Sequence, residues 1–410
     1  MQENGSSFGM WSDYRSKYEH MMIGLMSGTS LDGVDAALVR IKSDPSGKLT
    51  EVSLVDYVCV PYSDELRKEV IALCSTEHAR IDKLVCAHFG ISEWYAYTVK
   101  RLLQSAKLNS SDIDAVCMHG QTVWHAPETK MFPGPESDFA VKSTLQIGEV
   151  SVVHERTGIP VIGNFRSRDM AAGGEGAPLT PYLDALLFGS PHEGRVVQNI
   201  GGIGNVTVIP AGAERERISA FDTGPGNMVI DAVVRAETNG RQHYDPNGSI
   251  AAEGNVNQEL IALYMQDPYF SRKPPKSTGR EFYGAAFAQR FIEEANRRSL
   301  SFSDTVATAT ALTAESIVRA IEDFVLPDTP VAKLLACGGG SSNMTLMDMI
   351  RKRLPQGVSL HRTLEFGIPD NAREAIAFAV LGHESLMGRP SNLPAVTGAG
   401  RSAILGTMSL

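Results

Sequence analysis

The pattern of apolar and polar positions predicts strands and helices in alternation. Apolar runs at 22–26 and 34–41 flank a glycine-bearing turn, which is typical of a β-hairpin. A further apolar run at 54–60 predicts a third strand. Residues 64–75 and 80–107 instead carry apolar positions at helical spacing, with few glycines or prolines, and this predicts two helices.

A second hairpin pattern follows about 170 residues later, with apolar runs at 196–200 and 206–209 around another glycine-bearing turn. Helical patterns at 281–298 and 305–324 come after it, and an apolar strand at 333–337 follows them. Residues 126–144, rich in proline and polar side chains, are interpreted as a surface loop. The pattern predicts an α/β protein whose two halves share one design.

The length of 410 residues exceeds that of one ordinary domain and predicts at least two. We expect a polar N-terminal extension at 1–20, a first domain at 21–193 and a second domain at 194–386. Residues 387–410 then form a C-terminal segment that returns to the first domain.

The charge balance limits the partners. With 38 basic and 47 acidic residues the net charge is −9, which argues against a nucleic-acid surface. The sequence has no apolar run of membrane-spanning length and no signal-peptide pattern at its start. Five cysteines without metal spacing predict buried, reduced thiols. A cytoplasmic protein that binds neither nucleic acid nor membrane is the expectation.

The two hairpin turns and one strand end carry glycines that could grip phosphates. Glycine lets backbone N–H groups approach a ligand closely. A turn also favours glycine for its dihedral angles alone, so one hairpin would not decide between the two interpretations. The candidates are Gly28, Thr29, Ser30 and Gly33 in the first turn, Gly201, Gly202, Gly204 and Asn205 in the second, and Gly338, Gly339 and Gly340 after the strand. The chain has no P-loop motif.

Two carboxylates are candidates for holding Mg²⁺. Asp32 lies in the first turn, where it could bind the ion through water, although an Asp-Gly pair is itself a turn signal. Glu374 is a second candidate. By pattern alone it is a first-turn helix residue stabilised by the helix dipole.

Asp184 is the candidate general base. It is an acidic residue within an apolar helical stretch and follows a glycine-rich loop at 171–178. A carboxylate in apolar surroundings is costly unless it is paired or catalytic, and a desolvated one can accept a proton. A solvent-facing or capping aspartate is the alternative.

Polar residues that could bind a sugar follow the strand at 113–118. His119, Gln121 and Thr122 supply neutral donors and acceptors for hydroxyl groups, although a single histidine at a strand end is more often structural. Arg166, Arg168 and Asp169 could hold an anionic substrate group or form a surface ion pair.

The segment 273–281 resembles a phosphate grip through Lys276 and Arg280. Thr278 and Glu281 also fit a capping box for the following helix, and that interpretation explains most of the pattern.

Taken together, these motifs resemble the anhydro-N-acetylmuramic acid kinase family from about residue 21 to Gly406. The matching runs are Gly24–Asp35, His119–His125, Gly176–Leu179, Asn199–Ile203, Asp222–Asn227, Pro275–Glu281, Cys337–Gly340 and Asn392–Ala399.

The resemblance implies two actin/hexokinase-like (ribonuclease H-like) domains with ATP in a cleft between them, and Mg²⁺ as cofactor. It also implies nucleotide-binding roles for the matching residues Leu31, Val34, Asp35, Asp222 and Gly224. Glu374 matches a carboxylate on the metal side, and homodimerisation is a family-level expectation.

The same resemblance implies the reaction. Asp184 matches the aspartate that activates water for attack on the anomeric carbon of a 1,6-anhydro sugar. The released O6 then attacks the γ-phosphorus of ATP, giving N-acetylmuramic acid 6-phosphate and ADP.

The chain departs from the family pattern in its N-terminal extension and in a longer loop at 128–142. A levoglucosan-type kinase and a non-catalytic sugar or nucleotide sensor are the alternatives. The run Leu393–Ala399 favours the muramic acid enzyme over the first, and retention of Asp32 and Asp184 argues against the second.

Overall fold

The computed structural model describes residues 13–28 and 31–410, and the chain divides into two compact units. The first unit contains the described residues up to Leu183 together with Gly367–Leu410. The second is the continuous segment Asp184–Phe366.

A seven-stranded sheet forms the centre of the first unit. Its strands are β1 (Glu19–Ser27), β2 (Gly33–Ser43), β3 (Leu49–Pro61), β4 (Ala115–Phe132), β5 (Phe139–Ile147), β6 (Val161–Gly163) and β12 (Thr407–Ser409). Their order is β12-β6-β4-β1-β2-β3, and β5 pairs with β4. Strands β1, β2 and β3 form an antiparallel meander, whereas β4 runs parallel to both β1 and β6.

The second unit is built on a five-stranded sheet. Its strands are β7 (Arg195–Ile200), β8 (Ile203–Ile209), β9 (Ser219–Pro225), β10 (Lys333–Cys337) and β11 (Ser359–Arg362). The order is β11-β10-β7-β8-β9, with an antiparallel meander of β7, β8 and β9 and parallel pairing of β7 with β10 and of β10 with β11. Both units therefore repeat one plan, a meander followed by two parallel strands. The predicted fold class, α/β with two ribonuclease H-like domains, is confirmed.

Helices surround the two sheets. In the first unit they are α1 (Asp64–Leu73), α2 (Ile81–Ala106), α3 (Val150–Thr157), α4 (Phe165–Ala171), α5 (Thr180–Phe188), which continues into the second unit, α14 (Arg373–Leu386) and α15 (Pro394–Thr397). In the second unit they are α6 (Asn227–Glu237), α7 (Ser249–Glu253), α8 (Gln258–Tyr264), α9 (Pro268–Ser271), α10 (Arg280–Tyr283), α11 (Ala285–Arg297), α12 (Phe302–Phe324) and α13 (Met344–Arg353).

Helix α12 is the central helix of the second unit. Ser301 caps its N-terminus in a reciprocal capping box with Asp304. Its buried residues include Ala307, Leu312 and Ile317, which belong to the two apolar clusters of this unit. Burial on several faces explains why the sequence is apolar along most of the helix.

The boundaries between the units differ from the predicted positions 193 and 386. The first lies inside α5, between Leu183 and Asp184, and the second between Phe366 and Gly367. Helix α14 belongs to the first unit because it packs on β1: a Cβ on Gly24 would lie 1.8 Å from the carbonyl oxygen of Ala375. Only glycine permits this close approach of helix and strand.

The interpretation of 126–144 as a loop is wrong. Strands β4 and β5 form a long antiparallel hairpin there, with Lys130 opposite Val141 and Phe132 opposite Phe139. Prolines at 127, 133 and 135 and the polar composition concealed this pattern, because they are more typical of loops than of paired strands.

Two further differences concern single positions. The predicted helix at 281–298 is interrupted at Gly284, which separates α10 from α11. Three of the five cysteines (Cys59, Cys74 and Cys86) are exposed, so the expectation of buried thiols holds only for Cys117 and Cys337.

Among the helices of residues 13–28 and 31–410, none combines the length and apolar character needed to cross a lipid bilayer.

Candidate active site

The turn after β1 is shaped for close backbone packing. Leu31 adopts a left-handed conformation (φ 57°), and its N–H group donates to the carbonyl of Gly28 at 3.3 Å. The guanidinium group of Arg67 donates to the Leu31 carbonyl at 2.8 Å. Thr29 and Ser30, predicted to bind phosphate, lie outside the described residues. The side chains of Leu31 and Val34 are buried, so a ligand at this turn would meet their backbone.

Gln121 supports this turn. Its side-chain amide donates to the Gly28 carbonyl at 3.2 Å and to the Thr122 carbonyl at 3.3 Å, while its oxygen accepts from the Tyr62 hydroxyl at 3.5 Å. The side chain is wholly buried. Gln121 thus contacts protein groups, and its geometry fits a residue that holds the turn after β1 better than one that binds sugar hydroxyls.

Three carboxylates interact electrostatically in the first unit. Asp32 and Glu374 are both exposed, and Asp35 accepts a hydrogen bond from the Tyr57 hydroxyl. Surrounding protein raises the pKa of the Glu374 carboxyl by desolvation, although solvent still reaches it; Arg373 and Arg166 act in the opposite direction. Asp32 and Asp35 raise it further through like-charge repulsion. A divalent cation would relieve this repulsion.

No cluster of three or more His, Cys, Asp or Glu side chains able to hold a metal ion occurs in the described part of the chain. Mg²⁺ keeps several waters and commonly uses one or two carboxylates together with substrate phosphates. Asp32 and Glu374 are exposed acidic residues that interact electrostatically, and they fit such an ion.

His119 is held by Arg166. The Nε of Arg166 donates to the Nε2 of His119 at 2.8 Å, and its Nη1 donates to the carbonyl of Gly176 at 2.8 Å. Desolvation, followed by the positive charge of Arg166, holds the pKa of His119 well below its usual value. The ring is consequently neutral and carries its proton on Nδ1.

Arg166 and Arg168 play different parts. Arg168, predicted to bind substrate, is exposed in the last turn of α4, whereas Arg166 reaches inward to His119. Thr122 is half-buried and accepts a hydrogen bond from the Gln146 amide at 3.2 Å. The predicted strand end at Met118 is also wrong, because His119 and Thr122 lie within β4.

Asp184 is wholly buried on α5. The hydroxyl of Thr207, on β8, donates to its Oδ2 at 3.0 Å. This excludes the alternative of a solvent-facing aspartate. The pattern of the chain did not single out Thr207, although it is the polar residue of the otherwise apolar run 206–209.

The second glycine turn rests on the start of α6. The carbonyl of Gly201 accepts from the Asn227 N–H at 2.7 Å, and that of Gly202 accepts from the Gly226 N–H at 2.9 Å. With its carbonyls engaged, the turn leaves its N–H groups as the available backbone donors for an anion.

The triple glycine, Gly338–Gly340 after β10, lies next to Ile200 and Asn227 in the second unit. A Cβ on Gly340 would lie 2.3 Å from the Cγ2 of Ile200, whereas one on Gly339 would meet nothing nearer than the Asn227 amide nitrogen at 3.7 Å. Asn227 also donates to the Ile200 carbonyl at 3.2 Å. The end of β10, the turn after β7 and the start of α6 thus meet at one place.

Lys276 contacts the protein itself. Its ammonium lies 4.4 Å from the ring centroid of Phe324 and 4.8 Å from that of Tyr269, and it donates to the Tyr269 carbonyl at 3.2 Å. Desolvation lowers its pKa to about 8. Only 5% of the residue is exposed. A direct phosphate contact would require this side chain to leave its aromatic surroundings.

Asp222 is anchored by the same segment. The N–H group of Thr278 donates to its Oδ2 at 2.9 Å, and desolvation raises its pKa to about 6. The capping-box interpretation of Thr278 and Glu281 is wrong, because Gly279 is the N-cap of α10 and no side-chain cap is present.

The sheet plan repeated in the two units is that of the actin/hexokinase class of folds. Residues 20–410 match the family described as "Anhydro-N-acetylmuramic acid kinase". The chain belongs to this family.

Relatives with the same description are similar over nearly their whole length. The protein from Caldanaerobacter subterraneus subsp. tengcongensis is 44% identical over 395 residues, 96% of this chain and 98% of the relative. The one from Salinibacter ruber is 42% identical over 389 residues, 95% and 96% of the two chains. Among solved structures, (R)-2-hydroxyglutaryl-CoA dehydratase component A from Acidaminococcus fermentans is 10% identical with a TM-score of 0.43, covering 90% of this chain and 99% of that one.

Proposed function

We propose that this protein is an ATP-dependent kinase that opens the 1,6-anhydro ring of 1,6-anhydro-N-acetylmuramic acid with water and phosphorylates O6. The products are N-acetylmuramic acid 6-phosphate and ADP, as peptidoglycan recycling requires. One observation carries the proposal. In this chain, which belongs to the family, the carboxylate of Asp184 is wholly buried and accepts a hydrogen bond from the Thr207 hydroxyl.

Asp184 acts as the general base. It takes a proton from a water that attacks C1, the C1–O6 bond breaks, and the electron pair stays on O6. The oxygen then attacks the γ-phosphorus, and ADP leaves. The Thr207 hydroxyl, which donates to Oδ2 at 3.0 Å, helps to fix the carboxylate in the orientation in which it accepts the proton.

ATP phosphates bind the two glycine turns. Phosphoryl transfer depends mainly on positioning and charge neutralisation, which backbone N–H groups supply. The candidates are Gly28, Thr29, Ser30, Leu31, Asp32, Gly33, Val34 and Asp35 in the first unit and Gly201, Gly202, Asn205, Asp222, Gly224, Gly338, Gly339 and Gly340 in the second. Lys276 is assigned an indirect role, because its contacts hold the segment that anchors Asp222.

Asp32 and Glu374, two exposed acidic residues, would hold Mg²⁺. The ion, when bound, neutralises the phosphate charge during transfer. His119 and Thr122 bind sugar hydroxyls. Arg166, which donates to His119, takes the substrate-side role that was predicted for Arg168.

The proposal includes the substrates, the cofactor, the oligomeric state and the location of the enzyme. Sugar and ATP are its substrates, and Mg²⁺ its cofactor. We further propose a homodimer located in the cytoplasm, where ATP is available. Sedimentation equilibrium of the purified chain measures the first, and fractionation of cells measures the second.

The test compares substrates and a variant of the base. Wild-type enzyme should phosphorylate anhydro-N-acetylmuramic acid far faster than levoglucosan, and equal or better turnover of levoglucosan would contradict the assignment. Asp184→Asn should lower kcat by about 10²-fold or more, because it removes the proton acceptor and keeps the side-chain volume. Near wild-type rates in a folded Asp184→Asn protein would exclude Asp184 as the base.

A further inference from the structure

Asp169, on α4 in the first unit, is a buried carboxylate that the proposed mechanism does not use. It is wholly buried. Its Oδ1 accepts from the Asn392 amide and from the Thr397 hydroxyl, each at 2.8 Å, and its Oδ2 accepts from the Gly176 N–H at 2.8 Å. Two donors from a segment more than 200 residues away and one from the loop that follows α4 therefore converge on this side chain, which offsets the cost of burying a carboxylate.

These bonds join the glycine-rich loop at 171–178 to the C-terminal segment at 392–400. Two backbone bonds reinforce the join: the Glu175 N–H donates to the Thr397 carbonyl at 2.8 Å, and the Gly400 N–H donates to the Ala172 carbonyl at 2.8 Å. The run Asn392–Ala399, one of the motifs that resemble the family, thus helps to hold this loop in place.

Gly176 connects the hydrogen bonds of Asp169 to Arg166 and His119, the residues proposed to lie beside the sugar. Its N–H is held by Asp169, and its carbonyl is held by Nη1 of Arg166, whose Nε donates to His119. Both polar groups of this residue are fixed, so the orientation of the loop determines where the Arg166 guanidinium lies. The loop then leads into α5, which carries Asp184.

We propose that Asp169 is a positioning residue that, with Asn392 and Thr397, fixes the loop at Gly176 and so sets Arg166 and His119 for the sugar. The proposal rests on the proposed function. It assigns Asp169 no contact with substrate. Loss of its carboxylate should therefore impair use of the sugar and leave use of ATP largely unchanged.

The test uses the full-length chain with Asp169→Asn. An amide offers one acceptor and one donor group, so it cannot accept from Asn392, Thr397 and Gly176 together. KM for anhydro-N-acetylmuramic acid should rise, or kcat fall, by roughly tenfold, with KM for ATP changed less than about twofold. Amide exchange of the peptide containing Gly176 should accelerate in the same variant.

Asp245→Asn is the matched control. Asp245 is also buried and accepts from two backbone N–H groups, those of Ile250 and Ala251, but it lies in the second unit outside the candidate site. It should lose stability and keep the sugar KM of the wild type. Equal changes in sugar KM for both variants, or unchanged sugar KM and exchange in Asp169→Asn, would overturn the proposal.

Thr397→Val and Thr397→Ser cover the case in which Asp169→Asn does not fold. Thr397→Val removes one donor to Asp169 and should raise KM for the sugar. Thr397→Ser keeps a hydroxyl and should have a sugar KM close to that of wild type. The same sugar KM in both would overturn the proposal. Failure of the wild-type enzyme to phosphorylate the sugar would refute the proposed function itself, a result separate from any variant.

Discussion

At the residue scale, the chemistry depends on side chains whose partners lie far away in the sequence. Asp184 could be proposed from its apolar neighbours, but Thr207 could not, because a threonine within an apolar strand does not indicate what it faces. Lys276 illustrates the opposite case. Its basic, glycine-containing segment is typical of a phosphate grip, yet aromatic rings from other elements surround its ammonium.

Thr207→Val tests the support of the base. Loss of the hydroxyl should lower kcat by about tenfold, because a hydrogen bond to a charged group is lost in a buried site. Thr207→Ser should retain most activity. Thr310→Val is a control for the exchange of a buried hydroxyl for a methyl group, since Thr310 donates to the Val306 carbonyl of its own helix. Wild-type kcat in Thr207→Val would show that Asp184 needs no such partner.

Asp222→Asn tests the effect of pH on stability. The pKa of Asp222 rises from 3.8 to about 6 on folding, so the folded state binds this proton more tightly than the unfolded chain. This group therefore lowers stability as pH increases through that window. The asparagine cannot ionise. The free energy of unfolding of Asp222→Asn, relative to that of wild type, should increase between pH 3.8 and about pH 6 and stay constant above that range.

Urea unfolding at a series of pH values measures this difference, and a difference independent of pH would contradict it. Asp304→Asn is the control of opposite sign. Hydrogen bonds, chiefly from the Asn255 N–H, lower the pKa of Asp304. Its carboxylate therefore stabilises the fold at neutral pH, and this contribution is lost as pH falls.

At the element scale, periodicity predicted the helices near 64–73 and 81–106 and both glycine hairpins, and the structure confirms them. The hairpin of β4 and β5 was missed because its stability comes from cross-strand pairing, which local composition does not reveal. The packing of α14 on β1 was likewise beyond prediction, since it joins segments about 350 residues apart.

The triple glycine offers a comparison between neighbouring positions. Gly340→Ala should destabilise the protein by about 1–3 kcal/mol and raise KM for ATP, because the new methyl group overlaps Ile200. Gly339→Ala meets no such overlap and should unfold like the wild type. If ATP approaches this backbone closely, Gly339→Ala should still raise KM for ATP. Unchanged KM for ATP in both variants would remove the triple glycine from the nucleotide site.

At the scale of the whole molecule, the sequence predicted two similar halves, and five strands in each unit follow the same order, next to a core of that unit. The boundaries could not be placed from the sequence, because helix α5 continues through one of them without a change in composition.

The most direct test of this account is mass spectrometry of the product formed in ¹⁸O-water. Water attack at C1 predicts one ¹⁸O at C1 of the 6-phosphorylated sugar and none in the transferred phosphate, because O6 comes from the original bridge. Unlabelled product incubated under the same conditions corrects for exchange at the anomeric carbon. Product without excess ¹⁸O at C1, or label in the phosphate, would contradict attack of water on the anhydro bridge.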